Sequence, residues 1–166
     1  MLETAIGPPS TSRLGRLLAL AFMTVAVCSV PAFAAGVEGL WLVENGEARV
    51  EIGSCAEALC GRIVWMEEPF NDQGERKRDI HNPDAGLRER GIVGLEILRG
   101  VGRAPEGETV WKGGTIYDPN NGKTYRCTLR LEGPDRLRIR GFVGVSLFGR
   151  NTHWTRVHDD SPRTAN

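Results

Sequence analysis

Tyr125-Arg126-Cys127-Thr128-Leu129-Arg130-Leu131-Glu132 alternates without a break. Tyr125, Cys127, Leu129 and Leu131 fall on one side; Arg126, Thr128, Arg130 and Glu132 fall on the other. The period is two and not 3.6, which is the pattern of a strand with one buried face and one wet face. Working outward, Leu137 and Ile139 alternate with Arg136, Arg138 and Arg140, and Ala48, Val50 and Ile52 with Glu47, Arg49 and Glu51. Leu95 and Ile97 flank Glu96 in the same way. Runs at 39–43, 61–66, 109–117 and 145–157 bring the expected total to about eight strands. Between them stand Asn45-Gly46, Asp118-Pro119-Asn120-Asn121-Gly122 and Gly133-Pro134-Asp135, turn formers that make neighbouring strands antiparallel. No segment carries a capped helical stripe; 84–90 has room for about one turn. The expected fold class is all-β, either a closed up-and-down barrel or a sandwich.

Two ends of the chain favour the barrel. Gly39-Leu40-Trp41 opens the first strand and Trp154-Thr155-Arg156 closes the last. In a closed barrel these strands are neighbours, so the Arg156 guanidinium can stack on the Trp41 ring. The arrangement resembles the calycin (lipocalin-like) superfamily, in which a Gly-x-Trp near the start meets an arginine near the end.

A longer set of residues carries a closer resemblance. It comprises Cys60-Gly61-Arg62-Ile63-Val64-Trp65, Asp79 with Asn82-Pro83, Gly94-Leu95, Trp111 with Gly113-Gly114, and Ile116-Tyr117-Asp118-Pro119. Gly122-Lys123, Tyr125, Arg140-Gly141 and Gly149-Arg150 continue it to Trp154-Thr155-Arg156. Together these residues resemble the exported bacterial family catalogued as domain of unknown function 2147. That resemblance implies a periplasmic or secreted calycin-type barrel and brings no established activity.

The first residues bear on the compartment. Arg13 and Arg16 precede a charge-free run, Leu17 to Val30, and Ala32-Phe33-Ala34 supplies a small-x-small cleavage pattern. Residues 1–34 are therefore expected to be a cleaved signal peptide, 35–158 the barrel domain, and 159–166 a flexible polar tail. The run is shorter than the roughly 20 apolar residues a membrane span needs. No second apolar run follows, so no membrane span is expected in the mature protein. Lysine plus arginine number 21 and aspartate plus glutamate 21, a balance without the global field that nucleic acid attracts.

Cys28 leaves with the signal peptide, and Cys55, Cys60 and Cys127 remain. Cys55 and Cys60 lie between two strand-like runs, suited to a bridge across a hairpin end worth about 2 kcal/mol. Cys127, in phase with Tyr125 and Leu129, is expected to be a buried free thiol. The C-x4-C spacing lacks the C-x-x-C pattern of thiol oxidoreductases.

Candidate ligand-binding residues come from two regions. Trp65, Trp111, Tyr117 and Tyr125 lie on or beside strands, and either line a cavity or fill the interior. The charged connection 67–92 contains Asp79 and Asn82, with Arg88 or Arg90 nearby. These are either polar groups at the barrel mouth or a clasp that locks the loop. Arg126, Arg130, Arg136, Arg138 and Arg140 share an outward hairpin face, with Glu47, Glu51 and Glu132 as prospective partners. His81, His153 and His158 form no metal-ligand pattern, and no nucleophile, phosphate-loop or dinucleotide motif is present. No metal, cofactor or catalytic residue is assigned. The expected function is binding of an apolar or amphipathic small molecule in the cell envelope. A filled barrel contacting an envelope or host protein is the alternative, and a hydrolase the third reading.

Overall fold

A computed structural model describes residues 36–102, 105 and 107–158. The expected signal peptide and the tail 159–166 lie outside the described residues. Eight strands follow one another in chain order: β1 Gly39–Leu42, β2 Ala48–Cys55, β3 Ala58–Met66, β4 Glu96–Gly102, β5 Val110–Asp118, β6 Lys123–Leu131, β7 Arg136–Phe142 and β8 Arg150–Arg156. Each pairs antiparallel with the next, and β1 closes on β8 through Trp41 opposite Arg156 and Leu42 opposite Thr155. The sheet is an up-and-down barrel without free edges. Among the described residues there is no α-helix, and no helix is long and apolar enough to cross a membrane.

The alternation that opens the sequence is what closes the barrel. Cys127 and Leu129 of β6 are buried, as are Leu137 and Ile139 of β7 and Val50 and Ile52 of β2, while the intervening arginines and glutamates face water or its edge. Two bulges break the phase. In β3, Val50 pairs with Ile63 but Arg49 pairs with Trp65, so Val64 is an extra residue and both Val64 and Trp65 turn outward. In β5, Lys112 opposes Thr128 and Gly114 opposes Cys127, leaving Gly113 as the extra residue. Its φ of +88° is one that only glycine adopts without strain. Beyond it the inward positions shift from odd to even numbers, and Ile116 takes the inward place.

The last strand is shorter than expected. The 145–157 run begins as a short 3-10 turn, Ser146–Phe148, and becomes β8 only at Arg150. The Val143–Phe148 side chains project into water and have no neighbouring strand to bury them. The turn expected within 84–90 is a 3-10 turn, Ala85–Leu87, capped by Asp84 Oδ1 on the Gly86 amide at 2.9 Å.

The two barrel ends differ. One end is a floor filled by Trp41, Leu59, Val101, Trp111, Leu129 and Leu137, all buried. Arg156 seals it: its guanidinium lies 4.2 Å from the centre of the Trp41 ring. Its nitrogens donate to the carbonyls of Pro134, Glu38 and Gly36 at 2.7, 2.8 and 2.6 Å. Trp41 Nε1 donates to the Val37 carbonyl at 2.9 Å. Cys55 and Cys60 form a disulfide across the β2–β3 hairpin, with Cα atoms 5.8 Å apart. Cys127 is the buried free thiol, and burial pushes its pKa up to about 12.

Candidate functional site

The opposite end opens into a cavity of about 1600 Å³. Val50, Ile63, Ile97, Ile116, Tyr125 and Trp154 form much of its inner wall. Its rim comes from four connections: the β1–β2 turn with Glu44 and Asn45, the long β3–β4 loop, the β5–β6 turn at Asp118–Asn121, and the β7–β8 connection with Val143 and Phe148. The wall is apolar because these strands direct their inward series upward past the filled floor. The rim is polar because tight turns and loops must present backbone groups to water. Such a cup suits a ligand with an apolar body and a polar end.

The candidate aromatic residues separate into three groups. Tyr125 lines the wall. Trp65 does not: the β3 bulge places it outside the barrel, 38% exposed, with the Arg49 guanidinium 4.7 Å from its ring centre. Trp111 points inward but belongs to the floor, below the cavity, against Leu129 on the neighbouring strand. Tyr117 stands at the lip, where the phase shift at Gly113 lets its hydroxyl reach back to the long loop.

That loop is pinned rather than loose. Asp79 is fully buried, and its carboxylate is the hub of a clasp. Tyr117 Oη donates to Oδ1 at 2.6 Å; Asn82 Nδ2 at 2.8 Å and Arg90 Nε and Nη2 at 2.9 and 2.7 Å donate to Oδ2. Asn82 Nδ2 also lies 3.1 Å from the Tyr117 hydroxyl, and Arg88 Nε donates to the Asn82 carbonyl at 2.8 Å. Burial works against the Asp79 charge, but the bonds from Tyr117, Asn82 and Arg90 outweigh it and hold the carboxyl below the usual carboxylate range. Burial, then the neighbouring Asp79, pushes the Tyr117 phenol up. Asp79, Asn82 and Arg90, for which the sequence leaves both an entrance role and a loop clasp open, form a clasp behind the wall and do not line the cavity. They hold the loop that does: its neighbours Arg78, Ile80 and His81 face the cavity.

A second contact seats the same loop. Gly122, at φ +67° in the β5–β6 turn, runs so close to His81 that any Cβ there would coincide with the His81 carbonyl oxygen. The loop folds back on itself through bridges of Phe70 with Arg76 and Arg78 with Gly91.

The outward arginine face is a bonded surface. Arg136 and Arg138 pair with Glu132 at 3.4 and 3.2 Å, and Arg126 lies over the Phe142 ring. Arg140 is turned to the β7–β8 connection, where it donates to the carbonyls of Ser146 and Leu147 at 2.7 and 3.1 Å. Nothing in the sequence's alternation marked that connection as a rim element; four apolar residues spaced among glycines were the available signal. Among the described residues, ligand atoms of Cys55, Cys60 and Glu96 lie close together, but the two sulfurs are bonded to each other and offer no thiolate.

The family model for an uncharacterized protein conserved in bacteria, DUF2147, matches residues 39–156. The chain belongs to the DUF2147 family. Its matched span runs from the first residue of β1 to the last of β8, so the family unit is the whole barrel. No curated protein matches the sequence. Among solved structures, the chain is similar to protein HP1028 from the human pathogen Helicobacter pylori, which is described as belonging to the lipocalin family. The two share 21% identity over 75% of this chain and 85% of that one, with a TM-score of 0.64. That likeness establishes the lipocalin-like fold.

Proposed function

We propose that this DUF2147 barrel binds an apolar or amphipathic small molecule in the cell envelope, body inward and polar end at the rim. The open upper half of the barrel carries the reading: a filled interior, the alternative, holds only for the floor. A lipocalin-like fold is consistent with small-molecule binding. The leader-like residues 1–34 and the Cys55–Cys60 disulfide support an oxidising, exported location. Asp79, the one fully buried carboxylate among the described residues, is engaged on both oxygens by the clasp. It is a poor general base or nucleophile, which weighs against a hydrolase.

Native mass spectrometry of the protein purified from its own envelope tests the proposal. A retained adduct, released by organic solvent, is the expected result and names the ligand's class. Empty protein that also fails to take up a fluorescent fatty acid at micromolar concentration overturns it.

A further inference from the structure

The β7–β8 connection ends in an apolar tip that the lumen does not use for burial. Val143, Val145, Leu147 and Phe148 are 73%, 60%, 77% and 80% exposed, four of the five most exposed large apolar residues described, the other being Ile80. Isolated exposed apolar residues are ordinary, but four within six positions at one loop tip are not. The tip is held in this shape from beneath. Arg140 donates to the Ser146 and Leu147 carbonyls and, through Nη1, to Asn151 Oδ1 at 3.0 Å. The Gly149 amide donates to the Ser146 carbonyl at 3.2 Å. The apolar side chains are thus displayed by an internal clamp and are not folded into the cavity beside them.

Charge around the tip is mainly positive, the nearest acids being Asp118 opposite Lys123 and Glu44 beside His153. No aspartate or glutamate occurs in 119–131 or in 136–158. Lys123, Arg126 and Arg150 stand at the mouth ends of β6 and β8, with Arg126 opposite Phe142 and Arg150 opposite Gly141. Across the mouth the long loop mixes signs, with Glu67, Glu68, Glu75 and Glu89 beside Arg76, Lys77 and Arg78, and with Lys77 paired to Glu68 and Arg78 to Glu89. An apolar tip flanked by cations on one side of a mouth, with a charge-balanced rim on the other, matches a negatively charged lipid surface approached at a tilt. Val143 and Phe148 also line the cavity, so the tip and the lumen are continuous.

We infer that the β7–β8 tip docks the barrel, mouth first, on an anionic lipid bilayer, inserting Val143, Val145, Leu147 and Phe148 while Lys123, Arg126 and Arg150 face the headgroups. Docking does not require a loaded lumen, so it stands or falls separately from the ligand reading.

The test is flotation of the processed protein, purified from producing cells, with vesicles of phosphatidylcholine alone or mixed with phosphatidylglycerol. The wild type is expected to float with the mixed vesicles and to be released as salt rises. The double variant Leu147→Ser, Phe148→Ser should lower partitioning by at least about tenfold, and Arg150→Gln by about fivefold, at unchanged melting temperature. Three results overturn the inference: no flotation of the wild type, equal flotation of wild type and double variant, or a lipid-free dimer that the double variant abolishes. The last would make a second copy the tip's occupant.

Discussion

The floor and the mouth of this barrel are built from the same strands with the same alternation, yet one is packed and the other open. At the floor the inward places hold Trp41, Trp111, Leu129 and Leu137, and a barrel of eight strands is filled by side chains of that size. Toward the mouth the inward places hold Val50, Ile63, Ile116 and Gly141, and space remains. Period two decides that a barrel forms; the volume at each inward place decides which part of it is hollow. The two ends are also held differently. Arg156 ties the floor through the backbone carbonyls of Gly36, Glu38 and Pro134, whereas Asp79 ties the mouth loop through side chains.

Arg156→Ala gives the largest expected effect. It removes the stacked cation from Trp41 and leaves three carbonyls without their donor, a loss of about 2–3 kcal/mol. For a domain of this size that lowers the melting temperature by roughly 10 °C. Ligand uptake by the folded fraction should stay unchanged, because the mouth is untouched. Unaltered melting would show that the floor does not depend on this seal.

Asp79→Ala should cost about 2 kcal/mol, less than the roughly 3–5 kcal/mol of a fully buried broken pair because Arg90 remains partly in water. Hydrogen exchange should quicken at the amides of Asp79 and Ile92, which bond within the loop to Arg90 and Lys77. Faster probe release with no loss of melting temperature would instead make the loop a freely opening lid. The same carboxylate sets the acid limb of stability. Its folded pKa is lowered, so its contribution is present above the unfolded value near 3.9 and is lost as pH falls through the folded one.

The smallest expected effect lies on the alkaline side, at Cys127. Its folded pKa is raised to about 12, so its contribution is complete below the unfolded thiol value near 8.5 and is lost as pH rises from there toward 12. Denaturant melts at pH 9.5 should show the wild type about 1 kcal/mol less stable than at pH 7.5 on this account. Cys127→Ala should flatten that slope. An equal slope in both proteins would place the titrating group elsewhere.

The strand phase, the closing pair Trp41 and Arg156, and the cysteine pairing were legible because each follows from alternation or from which strands must be neighbours. Trp65 was not placed correctly, and Tyr117 lines the cavity only at its lip; a bulge lies behind each. A bulge inserts one residue and exchanges the two faces beyond it, and neither Val64 nor Gly113 announces itself as an extra residue in a single sequence. Trp111 was placed inward correctly but at the wrong height, since alternation reports a face and not a depth. Asp79 and Asn82 were legible as turn formers. Their bonds to Tyr117, 38 and 35 residues away, arise only when the loop folds over the barrel.

Gly141 offers the most direct measurement of whether the upper barrel is a binding lumen. A Cβ there would meet Tyr125 Cβ at 3.7 Å and Ile116 Cγ2 at 3.9 Å, ordinary contact distances, so Gly141→Phe can place a ring in the cavity without forcing the backbone. Titration of a fluorescent fatty acid into wild type and variant, beside a melt of each, reads the outcome. Micromolar binding by the wild type, weakened at least about tenfold in Gly141→Phe at similar melting temperature, is the predicted result. Equal binding by the two proteins, or none by the wild type, would contradict a ligand lumen.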